Sequence, residues 1–371
     1  MKVCFDLQSA IGQRTGVGNY TAHLACALLE RHPPDIDLSF TYFDFKRSGH
    51  GLPIPPDSEC AIRWCPGRAM QAAWKTIGWP PYDLIAGGAD VYHFPNFVIP
   101  PLRHGRAVAT IHDLAFLRMP ETIEPKNLAY LSGQIRHTVE RADAIIAVSH
   151  FTASELDQLL GVGPEEIHVV HEALGPMPSA AEADTKILQR LELFNKPFLL
   201  TVGTVEPRKN YAFLAEVFDQ LDEDIDLVIA GGLGWHVEPI LERIAASPKA
   251  RRIHITGYLS ACELAALYGN ASLFIYPTRY EGFGFPPLEA MHYGLPVLAA
   301  RVPPLPEVLG DAAEWVDGWA VEHWFEKVSS LLYDAPRREY LKTVGTTQAT
   351  RYSWARAAEE TLNIYRKVAC T

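Results

Sequence analysis

Residues 272–299 constrain the fold of this chain most strongly, because two short apolar runs there flank a glycine-rich loop and a helix start. The first run suits a buried parallel strand. Gly282 and Gly284 lie in the loop, and a helix is predicted over 287–293, with Gly294 as its stop. This order of strand, loop, helix and strand indicates an open α/β sheet.

Two glutamates frame the loop, Glu281 before it and Glu289 one turn inside the helix. Glu289 alone could simply cap free backbone N–H groups. Its combination with Glu281 favours a ligand site, because open α/β sheets bind phosphorylated ligands where a strand leads into a helix N-terminus. Carboxylates at such a place can accept hydrogen bonds from sugar or ribose hydroxyls.

The stretch E-G-F-G-F-P-P-L-E-A-M, in which seven residues separate the two glutamates, resembles the paired-glutamate signature of retaining glycosyltransferases of family 4. The resemblance covers nearly the whole chain. It implies an α/β protein with the GT-B fold, in which two Rossmann-like domains with parallel sheets face a central cleft. We therefore expect an acceptor-binding domain at 1–171, a linker at 172–184, a nucleotide-sugar domain at 185–351 and a terminal helix at 352–371 that crosses back to the first domain.

Length and composition agree with this organisation. The chain has 371 residues, more than one hydrophobic core usually serves. A net charge of −11 argues against nucleic acid as a partner. The six cysteines are scattered without zinc-ligand spacing, as expected of reduced cytosolic thiols. With neither a signal-peptide core nor a membrane-spanning run in the sequence, we expect a cytoplasmic protein, at most peripheral at the inner face of the cytoplasmic membrane.

The stretch E-P-R-K-N places Arg208 and Lys209 between a predicted strand at 198–202 and a predicted helix at 210–220. Cations at that point can meet phosphate oxygens. The stretch resembles the family's diphosphate-binding motif, with Thr204 where the family often has a further arginine. The resemblance implies that Arg208 and Lys209 stabilise the diphosphate leaving group, so that neither a metal nor another cofactor is required.

The resemblance also implies contacts to the rest of the donor. Glu281 and the backbone amides of Phe283, Gly284 and Phe285 would orient the sugar hydroxyls, and Glu289 would hold the ribose. In G-Y-L-S, the nucleotide base would lie against Tyr258 and Leu259.

Two further candidates lie in the N-terminal half. Gly16 and Gly18 belong to a predicted loop over residues 8–18 that would contact the donor diphosphate or the acceptor, unless it is an ordinary turn. The loop lacks the third glycine of the dinucleotide fingerprint, which disfavours a nicotinamide cofactor. His112, at the carboxyl end of a predicted strand, matches a family histidine close to the donor sugar. The alternative is that His112 only fills space.

Residues 63–79 mix tryptophans with basic side chains. Such a mixture suits a membrane interface or an acceptor groove. We favour a helix that packs Trp64, Trp74 and Trp79 into the core of the first domain.

These features predict a retaining glycosyltransferase that moves a hexose, with mannose from GDP-mannose favoured, to a saccharide or lipid-linked saccharide acceptor in polysaccharide or lipopolysaccharide synthesis. Three alternatives stay open: a UDP-glucose-dependent glucosyltransferase, a GT-B nucleotide-sugar epimerase, and a non-catalytic sugar-nucleotide-binding subunit.

Overall fold

The computed structural model describes residues 1–12, 16–31, 33–49, 51–221 and 224–370. The chain forms two compact units. The first contains Met1–Leu117, Lys126–Gly175 and the C-terminal segment from Ser353, and the second contains Arg118–Pro125 and Pro176–Tyr352. The predicted boundaries had assigned residues 118–125 to the first domain, and the structure corrects this.

The described residues form thirteen β-strands: β1 Lys2–Asp6, β2 Asp37–Phe43, β3 Glu59–Ile62, β4 Val91–Phe94, β5 Arg106–Ile111, β6 Ala144–Ala147, β7 Ile167–Val169, β8 Phe198–Val202, β9 Asp226–Ala230, β10 Ile253–Ile255, β11 Leu273–Tyr276, β12 Val297–Ala300 and β13 Glu314–Val316.

The same parts of the chain form fifteen α-helices: α1 Gly16–Arg31, α2 Gly67–Ile77, α3 Asp83–Ala86, α4 Ala115–Arg118, α5 Pro125–Arg141, α6 His150–Leu160, α7 Lys186–Arg190, α8 Tyr211–Asp219, α9 Glu238–Ala245, α10 Ala261–Asn270, α11 Phe285–His292, α12 Leu305–Leu309, α13 Val321–Tyr333, α14 Ala335–Ala349 and α15 Trp354–Ala369.

The first unit is built on a seven-stranded parallel sheet in the order β3-β2-β1-β4-β5-β6-β7. Its strands β4 and β6 are buried along their whole length, as is typical of parallel sheets. The terminal helix α15 packs against α1 in this unit, where Arg31 donates hydrogen bonds to the carbonyl oxygen of Ala355 and the ring of Trp354 lies 5.6 Å from that of Tyr20.

The second unit is built on a six-stranded parallel sheet in the order β10-β9-β8-β11-β12-β13. This is the Rossmann order, in which the chain starts at the centre and winds outwards in both directions. The connections that leave β8 and β11 therefore turn to opposite sides of the sheet. Ligands bind at such a switch point in open α/β sheets, beyond the carboxyl ends of the strands.

The start of α1 differs from the sequence prediction. The helix was expected from about Asn19 but already includes Gly16, so Gly16 and Gly18 lie in its first turn and not in a loop. Gly18 is buried there. Residues 13–15 of the predicted loop fall outside the described residues.

The tryptophans of residues 63–79 are only partly where they were expected. Trp74 is half-buried, lies 5.9 Å from both Phe43 and Tyr82, and donates a 2.7 Å hydrogen bond from Nε1 to the carbonyl oxygen of Pro80. Trp64 and Trp79 are 67% and 62% exposed. The prediction of a core position is thus wrong for these two, because they flank α2 and do not lie on its packed face.

Among the described residues, we find no helix that combines the length and the apolar character needed to cross a bilayer.

Candidate active site

The loops that leave β8 and β11 meet at the switch point of the second sheet. The β8 loop contains a single 3-10 turn, Pro207–Lys209, and the β11 loop leads through Glu281 into α11. A backbone hydrogen bond of 2.9 Å from the Arg279 nitrogen to the Arg208 oxygen ties the two loops together. The predicted residues Arg208, Lys209 and Glu281 are therefore neighbours.

Glu281 is the centre of this cluster. Its Oε1 accepts hydrogen bonds from Lys209 Nζ at 2.6 Å, from the Thr278 hydroxyl at 2.6 Å and from the Tyr276 hydroxyl at 2.9 Å. Its Oε2 accepts a hydrogen bond of 3.0 Å from Arg208 Nη1. Both carboxylate oxygens are thus engaged by the protein itself.

Arg208 links this carboxylate to a second one. Its Nε and Nη2 donate to Glu206 Oε1 at 3.0 and 2.7 Å, and its Nη1 also donates to the carbonyl oxygen of Tyr280 at 2.8 Å. Glu206 and Lys209 are buried, and Arg208 is partly exposed. The formal charges of Arg208, Lys209, Glu206 and Glu281 sum to zero, which makes burial of all four tolerable.

Electrostatics fix the protonation state of Glu281. Burial raises the pKa of a carboxyl group, but attraction by Lys209 and Arg208 and the hydrogen bonds from Lys209 and Thr278 outweigh it and lower the pKa of Glu281 to about 2. The side chain is therefore a carboxylate throughout the physiological pH range. A carboxylate with so low a pKa is a weak base and a weak nucleophile.

The loop from Glu281 to α11 depends on Gly284. This residue has φ +111° and is the N-cap of α11, and a Cβ there would lie 2.6 Å from Leu305 Cδ2. The second and third residues of the helix are Pro286 and Pro287, which have no N–H to donate. The helix N-terminus consequently offers fewer amide donors than an ordinary one.

We expect Gly284→Ala to lower the free energy of unfolding by about 1–3 kcal/mol, because alanine is strained at this φ and its methyl group meets a fully buried leucine. Urea denaturation measures the change. Gly133→Ala is the matched control, since Gly133 lies in α5 with open space around it and ordinary helical φ. That variant should be as stable as the wild type or more so. Equal stability of Gly284→Ala and the wild type would contradict the packing described here.

Glu289 is held by aromatic neighbours within the second unit. Its Oε2 accepts a 2.7 Å hydrogen bond from the Tyr268 hydroxyl, and burial raises the pKa of Glu289 although that hydrogen bond opposes the effect. Tyr268 is stacked on Tyr293 at 5.5 Å, and the Tyr293 hydroxyl donates to the carbonyl oxygen of Pro178 at 2.8 Å. The orientation of Glu289 is therefore fixed without a ligand.

The remaining predicted residues of the second unit have varied environments. Phe283 is buried, with its ring 5.3 Å from Phe285 and 5.4 Å from Tyr352, so it packs within the unit. Leu259 is buried as well. Thr204 is exposed, and so is Tyr258, at 70%. An exposed aromatic ring in a loop after a sheet strand is available to stack on a ligand.

His112 lies in the first unit, as do Gly16 and Gly18. Its Nδ1 is 2.8 Å from Glu172 Oε1 and its Nε2 is 2.9 Å from the carbonyl oxygen of Pro95. Both neighbours are hydrogen-bond acceptors, which suits an imidazolium that donates from both nitrogens. Burial lowers the pKa of His112, but the hydrogen bond and charge of Glu172 outweigh burial, so the pKa is raised. A ligand would have to compete with one of these acceptors.

In Glu172→Gln, we expect the pKa of His112 to fall, because the imidazolium loses its carboxylate. NMR titration of the ring, assigned with a His112→Gln variant, measures this. The raised pKa stabilises the folded chain below the unfolded value of about 6.5, and this contribution is lost as the pH rises through the folded pKa. Glu165→Gln, at an exposed position of the same unit, should leave the titration unchanged. An unchanged His112 pKa in Glu172→Gln would show that the ion pair is not formed.

Four contributors to these sites were missed by the sequence analysis: Glu206, Tyr276, Thr278 and Glu172. Tyr276 and Thr278 are two residues apart at the end of β11, so their side chains lie on the same side of the chain. Both hydroxyls donate to Glu281. Glu206 lies within the E-P-R-K-N stretch, two residues before Arg208. Glu172 had been assigned to the linker, and no local pattern pointed to its pairing with His112.

Two families match the chain. The family described as "Glycosyl transferases group 1" matches residues 184–348, and "Glycosyltransferase Family 4" matches residues 14–174. The chain is 32% identical over 282 residues to the O-antigen chain mannosyltransferase B of Escherichia coli, with 74% of each chain covered.

Two other likenesses agree with these matches. Over 268 residues, the chain is 30% identical to the serotype-specific mannosyltransferase WbdA of Escherichia coli, covering 68% of this chain but only 32% of that one. Its fold is similar to that of sucrose-phosphate synthase from Thermosynechococcus elongatus, with a TM-score of 0.75, 17% identity, and 100% and 99% of the two chains covered.

Proposed function

The chain belongs to glycosyltransferase family 4 and has the GT-B fold, and on that premise we propose that it transfers mannose from GDP-mannose, with retention of anomeric configuration. The acceptor in this proposal is a saccharide or lipid-linked saccharide used in polysaccharide or lipopolysaccharide synthesis in the cytoplasm, at the inner face of the membrane. The observation that carries the proposal is the cluster of Arg208, Lys209 and Glu281 at the switch point of the second sheet.

Lys209 is suited to stabilise the departing diphosphate. Breaking the bond between the anomeric carbon and the diphosphate leaves negative charge on a phosphate oxygen, which an oriented cation stabilises. Lys209 has three ammonium hydrogens, and its described partners, Glu281 and Tyr276, take two of them. The third is left to donate to a phosphate oxygen, and Glu281 holds the ammonium group in place.

The state of Glu281 argues against a covalent intermediate on the route to retention. A double-displacement reaction requires a carboxylate nucleophile that can reach the anomeric carbon. Both oxygens of Glu281 already accept hydrogen bonds from cations and hydroxyls, and its low pKa weakens it as a nucleophile. We propose that the acceptor hydroxyl attacks on the face from which the diphosphate leaves, without a covalent intermediate.

The choice of mannose is supported by two of the relatives. The O-antigen chain mannosyltransferase B and WbdA of Escherichia coli are both named mannosyltransferases. Donor contacts from Glu289 to the ribose and from Tyr258 and Leu259 to the base complete the proposed site. His112, Gly16 and Gly18 are the proposed contributions of the first unit.

Nucleotide-dependent thermal stabilisation tests the donor. A ligand at a hundred times its Kd that binds only the folded state stabilises it by about 2.7 kcal/mol. We expect GDP to raise the unfolding temperature, and UDP and NADH to leave it unchanged. A higher unfolding temperature with UDP alone would indicate that the donor is a UDP-linked sugar. A higher unfolding temperature with NADH alone would contradict a glycosyltransferase site. Epimerised sugar nucleotide formed without an acceptor would instead identify an epimerase, and GDP binding without turnover on any acceptor would identify a non-catalytic subunit.

We propose that transfer needs no metal ion, because Arg208 and Lys209 can donate hydrogen bonds to the departing diphosphate, a role that a metal ion has in other phosphoryl sites. We expect transfer from GDP-mannose to continue at an unchanged rate after dialysis against EDTA. A loss of rate that added Mg²⁺ or Mn²⁺ restores would contradict this part of the proposal.

A further inference from the structure

A groove in the first unit lies between α2 and α5 and has a volume of about 870 Å³. This α2–α5 groove is formed by the two helices together with residues 98–101. Its volume is within the range of about 300–1,000 Å³ that is typical of ligand sites. It shares no residue with the donor site described above, and all its lining residues belong to the first unit.

The charges around this groove differ from those of the rest of the protein. The lining includes the cations Arg68, Lys75, Lys126 and Arg141, and no acidic side chain among the described lining residues. The chain as a whole has a net charge of −11. Four cations that converge on one groove in an acidic protein produce a local positive potential that attracts anions.

These four cations also lack the carboxylate partners that some exposed cations of the protein have. Elsewhere, for example, Arg366 pairs with Asp35 at 2.8 Å and Lys327 with Glu314 at 2.6 Å. Within the described parts of the chain, none of the four groove cations has a carboxylate partner. Lys75 instead lies 5.7 Å from the centre of the Tyr130 ring across the groove. The positive charge is therefore available to a ligand.

The groove also has an apolar lining. Trp74, Val98 and Pro101 are partly exposed in its wall, and Tyr130 is 39% exposed. A free sugar phosphate would leave this apolar surface in water, whereas an amphiphile would cover it.

We propose that the α2–α5 groove binds a phosphate ester of a long apolar alcohol. The phosphate would lie among Arg68, Lys75 and Lys126, where a doubly charged group can take charge-assisted hydrogen bonds from several cations. The apolar chain would cover Trp74, Val98 and Tyr130. This inference deepens the proposed function, on which it rests, by naming the chemical class of the acceptor's anchor.

Octyl phosphate is the probe for this site, used below its micelle concentration with the full chain and followed by titration calorimetry. Octanol has only the apolar chain and inorganic phosphate only the charged group. We expect each to bind at least about tenfold more weakly than octyl phosphate. Inorganic phosphate that binds as tightly as octyl phosphate would overturn the proposal, because the apolar lining would then contribute nothing.

Two pairs of variants locate the binding. Lys75→Gln with Lys126→Gln should weaken octyl phosphate binding at least about tenfold, because two charge-assisted contacts are lost. Lys75→Arg with Lys126→Arg keeps the charge and should keep the affinity within about threefold. The control is Lys196→Gln with Arg251→Gln, which removes the same charge from exposed positions of the second unit and should change nothing.

Equal weakening in the control pair, or unchanged affinity in the groove pair, would overturn the proposed site. The readout is binding alone, so it is independent of the donor. If GDP-mannose proves not to be the donor, the groove should still bind octyl phosphate. If the groove binds no octyl phosphate, only the groove proposal fails and the proposed donor site is unaffected.

Discussion

Lys209→Met is expected to lower the rate of mannosyl transfer at least about a hundredfold, the scale on which enzymes lose rate when one oriented electrostatic contact to the transition state is removed. Methionine keeps much of the length of lysine but cannot donate to the departing diphosphate. The loss should appear in kcat, because the charge on the leaving group develops as the bond breaks. Initial rates at saturating GDP-mannose measure it.

Lys327→Met is the matched control for this variant. Lys327 is also in the second unit and pairs with Glu314 at 2.6 Å, but its side chain is half exposed. It loses the same charge and an ion pair of the same length, and its rate should stay within about twofold of the wild type, since exposed pairs contribute little. A Lys209→Met enzyme with wild-type turnover would remove the proposed role of the cluster.

Stability should show a second large effect at the same cluster. In Lys209→Met, the buried carboxylate of Glu281 loses the closest of its two cations, and breaking a buried pair in this way typically costs about 3–5 kcal/mol. We expect Lys209→Met combined with Glu281→Gln to recover most of that loss, because no unbalanced charge is then buried. Urea denaturation of the single and double variants gives the coupling between the two sites.

The double variant separates structure from catalysis. Its stability should approach that of the wild type, whereas its transfer rate should stay as low as that of Lys209→Met, because the leaving group still lacks its cation. Recovery of transfer in the double variant would show that Lys209 serves only to neutralise Glu281. Additive losses of stability would show that the pair is not coupled.

The low pKa of Glu281 gives the pH range in which these comparisons hold. A carboxyl group whose folded pKa is below its unfolded value stabilises the fold above the unfolded value, about 4.3, and this contribution disappears as the pH falls towards the folded value. With a folded pKa of about 2, Glu281 contributes fully at pH 7 and loses its contribution only in strong acid.

The fold was accessible to sequence reasoning where strands are fully buried. The bounds predicted for β8, residues 198–202, coincide with those observed, because this short and largely apolar run is followed by a glycine. The start of α1 was wrong because glycine was taken as a loop former, although Gly16 and Gly18 are accommodated in the first helical turn.

The predicted core position of Trp64 and Trp79 failed for a different reason. A helix was inferred correctly, but tryptophans beyond its ends are not fixed by its periodicity, and both remain exposed.

At the donor site, residue identities were predictable and their pairing was not. Arg208, Lys209 and Glu281 stood out by their place after buried strands. Both oxygens of Glu281 accept hydrogen bonds from these cations because β8 and β11 are adjacent. Only the tertiary structure shows that these two strands are neighbours. The hydrogen bond from Tyr268 to Glu289 joins α10 to α11 and is equally invisible to local patterns.

We propose that this site cleaves GDP-mannose with retention. NMR of the sugar first formed when GDP-mannose is hydrolysed tests this without knowledge of the acceptor. The mannose in this donor is α-linked, so retention gives α-mannose before mutarotation. The Lys209→Met variant should release this mannose more slowly than the wild type. Release of β-mannose first would contradict retention. Hydrolysis of UDP-glucose but not of GDP-mannose would contradict the proposal that GDP-mannose is the donor.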